Sequence, residues 1–158
     1  MTIKNSIIYL SLILFALNSS SCGSSKMLRY MDQHQANFTK ALSGNVGPEE
    51  KLDIVANSLV TALNESMSFS STKKSVQYMK KFSSTNEKAL NTIIKDIDGW
   101  MSGMSGAEKI MTIGKIAQKP YAKELITLAP KFEKKVNRKI TTFRIASKLI
   151  GLVKPKLF

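Results

Sequence analysis

The chain is poor in the residue types from which most reactive sites are built. Its 158 residues include one cysteine, one histidine and one tryptophan. A lone cysteine closes no intramolecular disulfide, so no cross-linked framework is expected. Together with His34 it is too little for a zinc site of the usual kind or a cysteine-histidine nucleophile pair, so neither a metal nor a cofactor is expected. Acids are also scarce, at 11 Asp and Glu against 24 Lys and Arg. They fall where helix caps and solvated faces are expected, not as the paired carboxylates of a hydrolase. There is no Gly-x-Ser-x-Gly elbow, and no segment alternates apolar and polar residues with a period of two. These absences argue against an enzyme and against a sheet.

What is present begins near the N-terminus. Lys4, an apolar stretch from Ile7 to Leu17 broken only by Ser11, and the small polar run Asn18-Ser19-Ser20-Ser21-Cys22-Gly23 form the three parts of an export signal. The stretch is about half of what a helix needs to cross the ~30 Å hydrocarbon core. Residues 1–23 resemble a bacterial lipoprotein leader. The resemblance implies that residues 1–21 are cut off and that Cys22 becomes the acylated N-terminus, carrying palmitate or a similar chain. It also implies that Gly23, standing where an aspartate would retain the protein in the inner membrane, is an outer-membrane address. Cleavage by an ordinary secretory peptidase after Ser19 and Ser21, or retention of the stretch as an uncleaved anchor, are the other readings of the same residues.

Removing the leader leaves 137 residues, enough for one compact domain. A hydrophobic fraction of 43% with 22% charged residues predicts a folded chain. Residues 22–25 read as a short tether and 26–158 as a single helical domain. The formal charge of +13 is unevenly placed: residues 107–158 hold 13 basic and 3 acidic groups, whereas residues 22–106 hold 10 and 8. A C-terminal third this basic suits anionic partners.

Periodicity predicts an all-α fold, an irregular bundle of five or six helices. Leu28, Met31, Gln35, Phe38 and Leu42 place a helix over about 26–43, with Gly44 as a left-handed cap. Pro48 followed by Glu49 and Glu50 starts a second, running to about residue 66 with a stripe from Leu52 to Leu63. The stripe Val76, Met79, Phe82, Leu90, Ile93, Ile97 and Trp100 stays in register across Ser83-Ser84-Thr85-Asn86. It therefore favours one long helix over 73–101, although Ser84 with Glu87 fits a capping box. Ser105 with Glu108 fits another, ahead of a helix through Ile110, Ile113 and Ala117. Pro120 and Pro130 each suit a first helical position, giving a short helix over 120–129 and a long one over 130–153.

The last of these is the candidate functional element. Phe132, Val136, Ile140, Phe143, Ala146 and Ile150 share an apolar face, with Lys134, Arg138, Arg144 and Lys148 outside it and Lys139 projecting among the apolar residues. Lys131, Lys134, Lys135, Arg138, Lys139, Arg144 and Lys148 are the expected contacts to an anionic surface. The plainer reading is a bundle helix with a solvated basic face. Trp100 reads as a core cap at a helix end, and His34 as a surface or boundary residue. The expectation is a non-enzymatic binding or structural module, attached to the membrane by lipid and facing anionic head groups or an acidic polymer, not nucleic acid. A protein-interaction adaptor or an immunity-type lipoprotein of an envelope machine is the alternative.

Overall fold

Helix α2, Pro48–Ser68, runs through the middle of the bundle and is buried on more than one side. Pro48 opens it and Glu49 and Glu50 occupy its first turn, where the dipole favours acids. Leu52, Val55, Ala56, Leu59, Val60, Ala62 and Leu63 are buried, as are the polar Ser58, Glu65 and Ser66. So broad an apolar arc needs neighbours on several sides. A computed structural model describes residues 25–138 and supplies them: α1 over 25–42, α3 Thr72–Thr85, α4 Glu87–Ser102, α5 Gly106–Gln118 and α6 Pro120–Val136. The described residues are all-helical, with six helices and no strand. Each core leucine such as Leu59 contributes about 1.5–3 kcal/mol by burial, and truncating it to alanine costs about 2–5 kcal/mol.

Side-chain bonds fix the directions. Lys26, Asn37 and Lys40 of α1 meet Ser68, Ser58 and Glu50 of α2 in turn, so the two helices are antiparallel. Reciprocal bonds join Ser66 and Ser75, which tie the end of α2 to the start of an antiparallel α3. Helix α6 instead runs parallel to α2: Lys119 and Tyr121 meet Asp53 near one end, and Lys135 meets Met67 and Phe69 at the other. Among the described residues, every buried core side chain lies between Met31 and Val136.

Several local expectations need correction. Asn86 splits the stretch over 73–101 into two helices: its side-chain amide donates to the Phe82 carbonyl at 2.9 Å, ending α3, and its own carbonyl starts α4. The box expected at Ser84 does not form, because that hydroxyl donates to Lys81. Pro130 lies inside α6, not at a new start. Pro130 and Ile126 are both exposed, so the carbonyl that loses its intrahelical donor lies on the solvent side. That helix ends at Asn137, in the left-handed region at φ 50°, which asparagine tolerates. The expected helix over 130–153 is thus broken at 137, and its remainder lies outside the described residues. Gly44 is not in a positive-φ cap; the end of α1 is closed by the Ser43 amide and hydroxyl on the Lys40 carbonyl. The Ser105 capping box is present in full, and Pro120 does open α6.

Candidate functional surface

Four basic side chains of α6 and its end are exposed: Lys123, Lys131, Lys134 and Arg138. At 3.6 residues per turn, Lys123, Lys131 and Lys134 share the side of α6 opposite Leu125, Ala129 and Phe132, which are buried. Glu124 lies beside them. Lys135, grouped with them from the sequence, does something else. Its ammonium donates to the Met67 carbonyl at 2.6 Å and the Phe69 carbonyl at 2.7 Å, neutralising the negative end of the α2 dipole. Thr72 donates to the Lys135 carbonyl at 3.3 Å, so α2, α3 and α6 meet there. Lys139, Arg144 and Lys148, like Cys22, lie outside the described residues.

Several of the acids are engaged by partners within the bundle or at helix ends. Lys119 spans Asp53 at 2.8 Å and Glu49 at 3.4 Å, and its pKa is raised, first by the hydrogen bond to Asp53. Tyr121 donates to the other oxygen of Asp53 at 2.8 Å, and burial, then that bond, raises its pKa above the ordinary phenol value. Lys51 pairs with Asp96 at 2.6 Å and Lys40 with Glu50 at 3.3 Å. Glu108 is held below the usual carboxylate range, first by the hydroxyl of Ser105 and then by its backbone N–H. With acids engaged this way, the outward side of α6 keeps its positive character.

A second constellation was missed from the sequence. His34 of α1 is 1% exposed, and its Nε2 lies 3.0 Å from Glu65 Oε2 and 3.1 Å from the Tyr78 hydroxyl. Tyr78 donates to the same Glu65 oxygen. Burial, then the hydrogen bond to that carboxylate, pushes the Tyr78 pKa far above the ordinary phenol value. The network is satisfied with the histidine proton on Nε2, which leaves Nδ1 buried without a hydrogen-bond partner. Aromatic rings close over it: Phe38 stacks beside the imidazole at 6.4 Å, Phe82 meets it edge-on at 4.9 Å, and Tyr30 and Phe69 flank Tyr78. This arrangement turns α1 so that Met31, His34, Phe38 and Ala41 face inward, while Leu28 and Leu42, expected on the apolar side, are exposed. The sequence offered only a single histidine one turn from Met31 and Phe38 on the same helix, and only the fold brings residues 34, 65 and 78 together.

No family model, curated protein or solved structure matches the chain. Among the described residues no group of three metal-capable side chains is assembled, and no helix is long and apolar enough to cross a membrane. The His34 cluster lies within the packing, with Tyr78 0% and Glu65 9% exposed, and it ties three helices together. A shallow groove between α2 and α6, lined by Asn64, Lys123, Glu124, Thr127 and Leu128, opens to solvent beside the basic stripe.

Proposed function

We propose that this protein is a membrane-anchored envelope lipoprotein of the outer membrane, whose helical bundle is a non-enzymatic binding or structural module. An acyl chain on Cys22 holds the bundle at the bilayer, and the basic side of α6 orients it toward anionic lipid head groups or an acidic polymer. The observation that carries this reading is the single thiol of the chain placed directly after an apolar stretch and a run of small residues. Acylation accounts for an odd cysteine in an exported protein, where an unpaired thiol would otherwise react. Several acyl chains at ~0.8 kcal/mol per buried CH₂ anchor a protein without help from the folded part. The exposed Lys123, Lys131, Lys134 and Arg138 then act at short range. Charges near an anionic leaflet interact within a Debye length, about 8 Å at physiological salt, so anchoring and electrostatics reinforce one another.

Metabolic labelling with a fatty acid, on wild type and on Cys22→Ala, tests the anchor. Label and outer-membrane fractionation are expected for wild type and are expected to disappear together in the variant. Label that persists in Cys22→Ala, or wild-type protein recovered unmodified in the aqueous phase, refutes the assignment.

A further inference from the structure

Helix α5 has 13 residues and buries one of them, Ile116. Two large apolar residues at mid-helix point the other way: Ile110 is 74% and Met111 64% exposed, more than any other large hydrophobic residue among those described. At ~100° per residue, Ala107, Ile110, Met111, Gly114 and Gln118 occupy one sector of about 100°, and that sector holds no charge. All five are exposed. Of the expected stripe, Ile113 and Ala117 are half-buried beside the buried Ile116, whereas Ile110 is turned to solvent. The apolar ridge is nevertheless held firmly. The Ser105–Glu108 capping box fixes one end of α5, and the extended Lys119 linking it to Pro120 fixes the other. Trp100, Met101 and Met104, all half-buried, stand on the chain just before it.

We propose that this ridge is a membrane-insertion element: Ile110 and Met111, together with Met104 of the α4–α5 turn, seat in the head-group boundary of an anionic bilayer, with Trp100 half-buried in the last turn of α4 just before them in the chain. The inference rests on the anionic-surface reading above and names the part of the bundle that enters the lipid. Charge selects this occupant over a second copy of the chain. Two molecules without the leader, each with 23 basic and 11 acidic groups, repel as they approach, whereas an anionic leaflet attracts each of them. The residue types agree, since an indole with an apolar body and a polar N–H suits the membrane-water boundary, and methionine adapts to an irregular surface. The exposed Lys123, Lys131 and Lys134 of α6 add to the attraction at longer range.

Trp100 is the only tryptophan, so its emission reports on this region alone. Residues 24–158 are mixed with vesicles of equal phosphatidylglycerol and phosphatidylcholine, some with brominated acyl chains, and with vesicles of phosphatidylcholine alone. On the anionic vesicles a blue shift and quenching by the brominated chains are expected. Ile110→Asp with Met111→Asp is expected to abolish the quenching and weaken binding about tenfold or more, with unchanged urea unfolding because both side chains are exposed. Lys131→Glu with Lys134→Glu is expected to weaken binding while the protein that still binds remains quenched. Binding that depends on salt but leaves Trp100 unquenched, or that ignores the Ile110 and Met111 substitutions, overturns insertion and leaves the anionic-surface reading standing. Absence of binding at any salt overturns both. Sedimentation showing a dimer that the two substitutions dissolve overturns insertion in favour of self-association.

Discussion

Glu65 accepts hydrogen bonds from helices on either side of it in the chain while only 9% exposed, so its removal takes away the acceptor that His34 and Tyr78 share and leaves them only each other, 3.1 Å apart. Glu65→Ala leaves one of these two buried donors without an acceptor and opens a gap where the carboxylate stood. The expected cost is about 3 kcal/mol of unfolding free energy, read from urea denaturation. A cost below about 1 kcal/mol would mean that the network is not carrying α1. The phenols of Tyr78 and Tyr121 and the ammonium of Lys119 all have folded-state pKa values raised above their ordinary ones. For each, the unfolded chain releases its proton first as pH rises, so the stabilisation is complete below about pH 10 and is lost above it. Alkaline titration is therefore expected to show Tyr78 and Tyr121 ionising only as the bundle unfolds, and Tyr78→Phe with Tyr121→Phe to flatten the fall in stability. At this scale the sequence was hard to read. His34 next to Gln35 looks like a boundary residue until Glu65, 31 positions away, is brought to 3.0 Å.

Helix boundaries followed the sequence where caps and prolines act alone, and departed from it where a local side-chain bond or a tolerated proline leaves no trace in the hydrophobic pattern. Pro48, Pro120 and the Ser105 box started helices as expected, because each satisfies backbone groups within its own turn. Asn86 divided a stripe that kept perfect register, since a side-chain amide bonding four residues back is invisible to hydrophobic periodicity. Pro130 did not start a helix: α6 continues through it on the solvent side, at the cost of one backbone bond. Alanine there restores that bond and a favourable helical preference. Pro130→Ala is accordingly expected to raise stability by about 1–2 kcal/mol, less than the full interior-proline penalty of ~3 because the unfolded chain also gains freedom. Thermal unfolding reads the sign, and a lower melting temperature would show that the proline shapes α6 for another purpose.

At the scale of the whole molecule, the charge imbalance acts through where the acids are spent. Asp53, Glu65 and Asp96 are committed to partners within the bundle, and the lysines on the outer side of α6 face solvent. Binding to anionic vesicles is expected to fall steeply between low and high salt and to weaken on Lys131→Glu with Lys134→Glu. By contrast, Lys135→Ala is expected to lower stability by about 1 kcal/mol through loss of its bonds to the end of α2. Co-sedimentation and urea unfolding of the same variants separate the two roles. Those four lysines look alike as sequence: 131, 134 and 135 follow one another on a basic stretch, and Lys123 precedes it.

Sequence alone determined the all-helical class, the central stripe of α2 and the helix starts at Pro48, Ser105 and Pro120, because periodic burial and hydrogen bonds within one turn depend only on residues near one another in the chain. It also determined the excess of positive charge, which is a property of composition. Tertiary structure decided the rest. It turned α1 to seat His34 against Glu65 and drew Lys135 onto the carbonyls that end α2. It also left Ile110 and Met111 in solvent although they sit in a helical pattern. Each of these depends on which distant surfaces meet, and desolvation acts on a side chain only once its neighbour is in place.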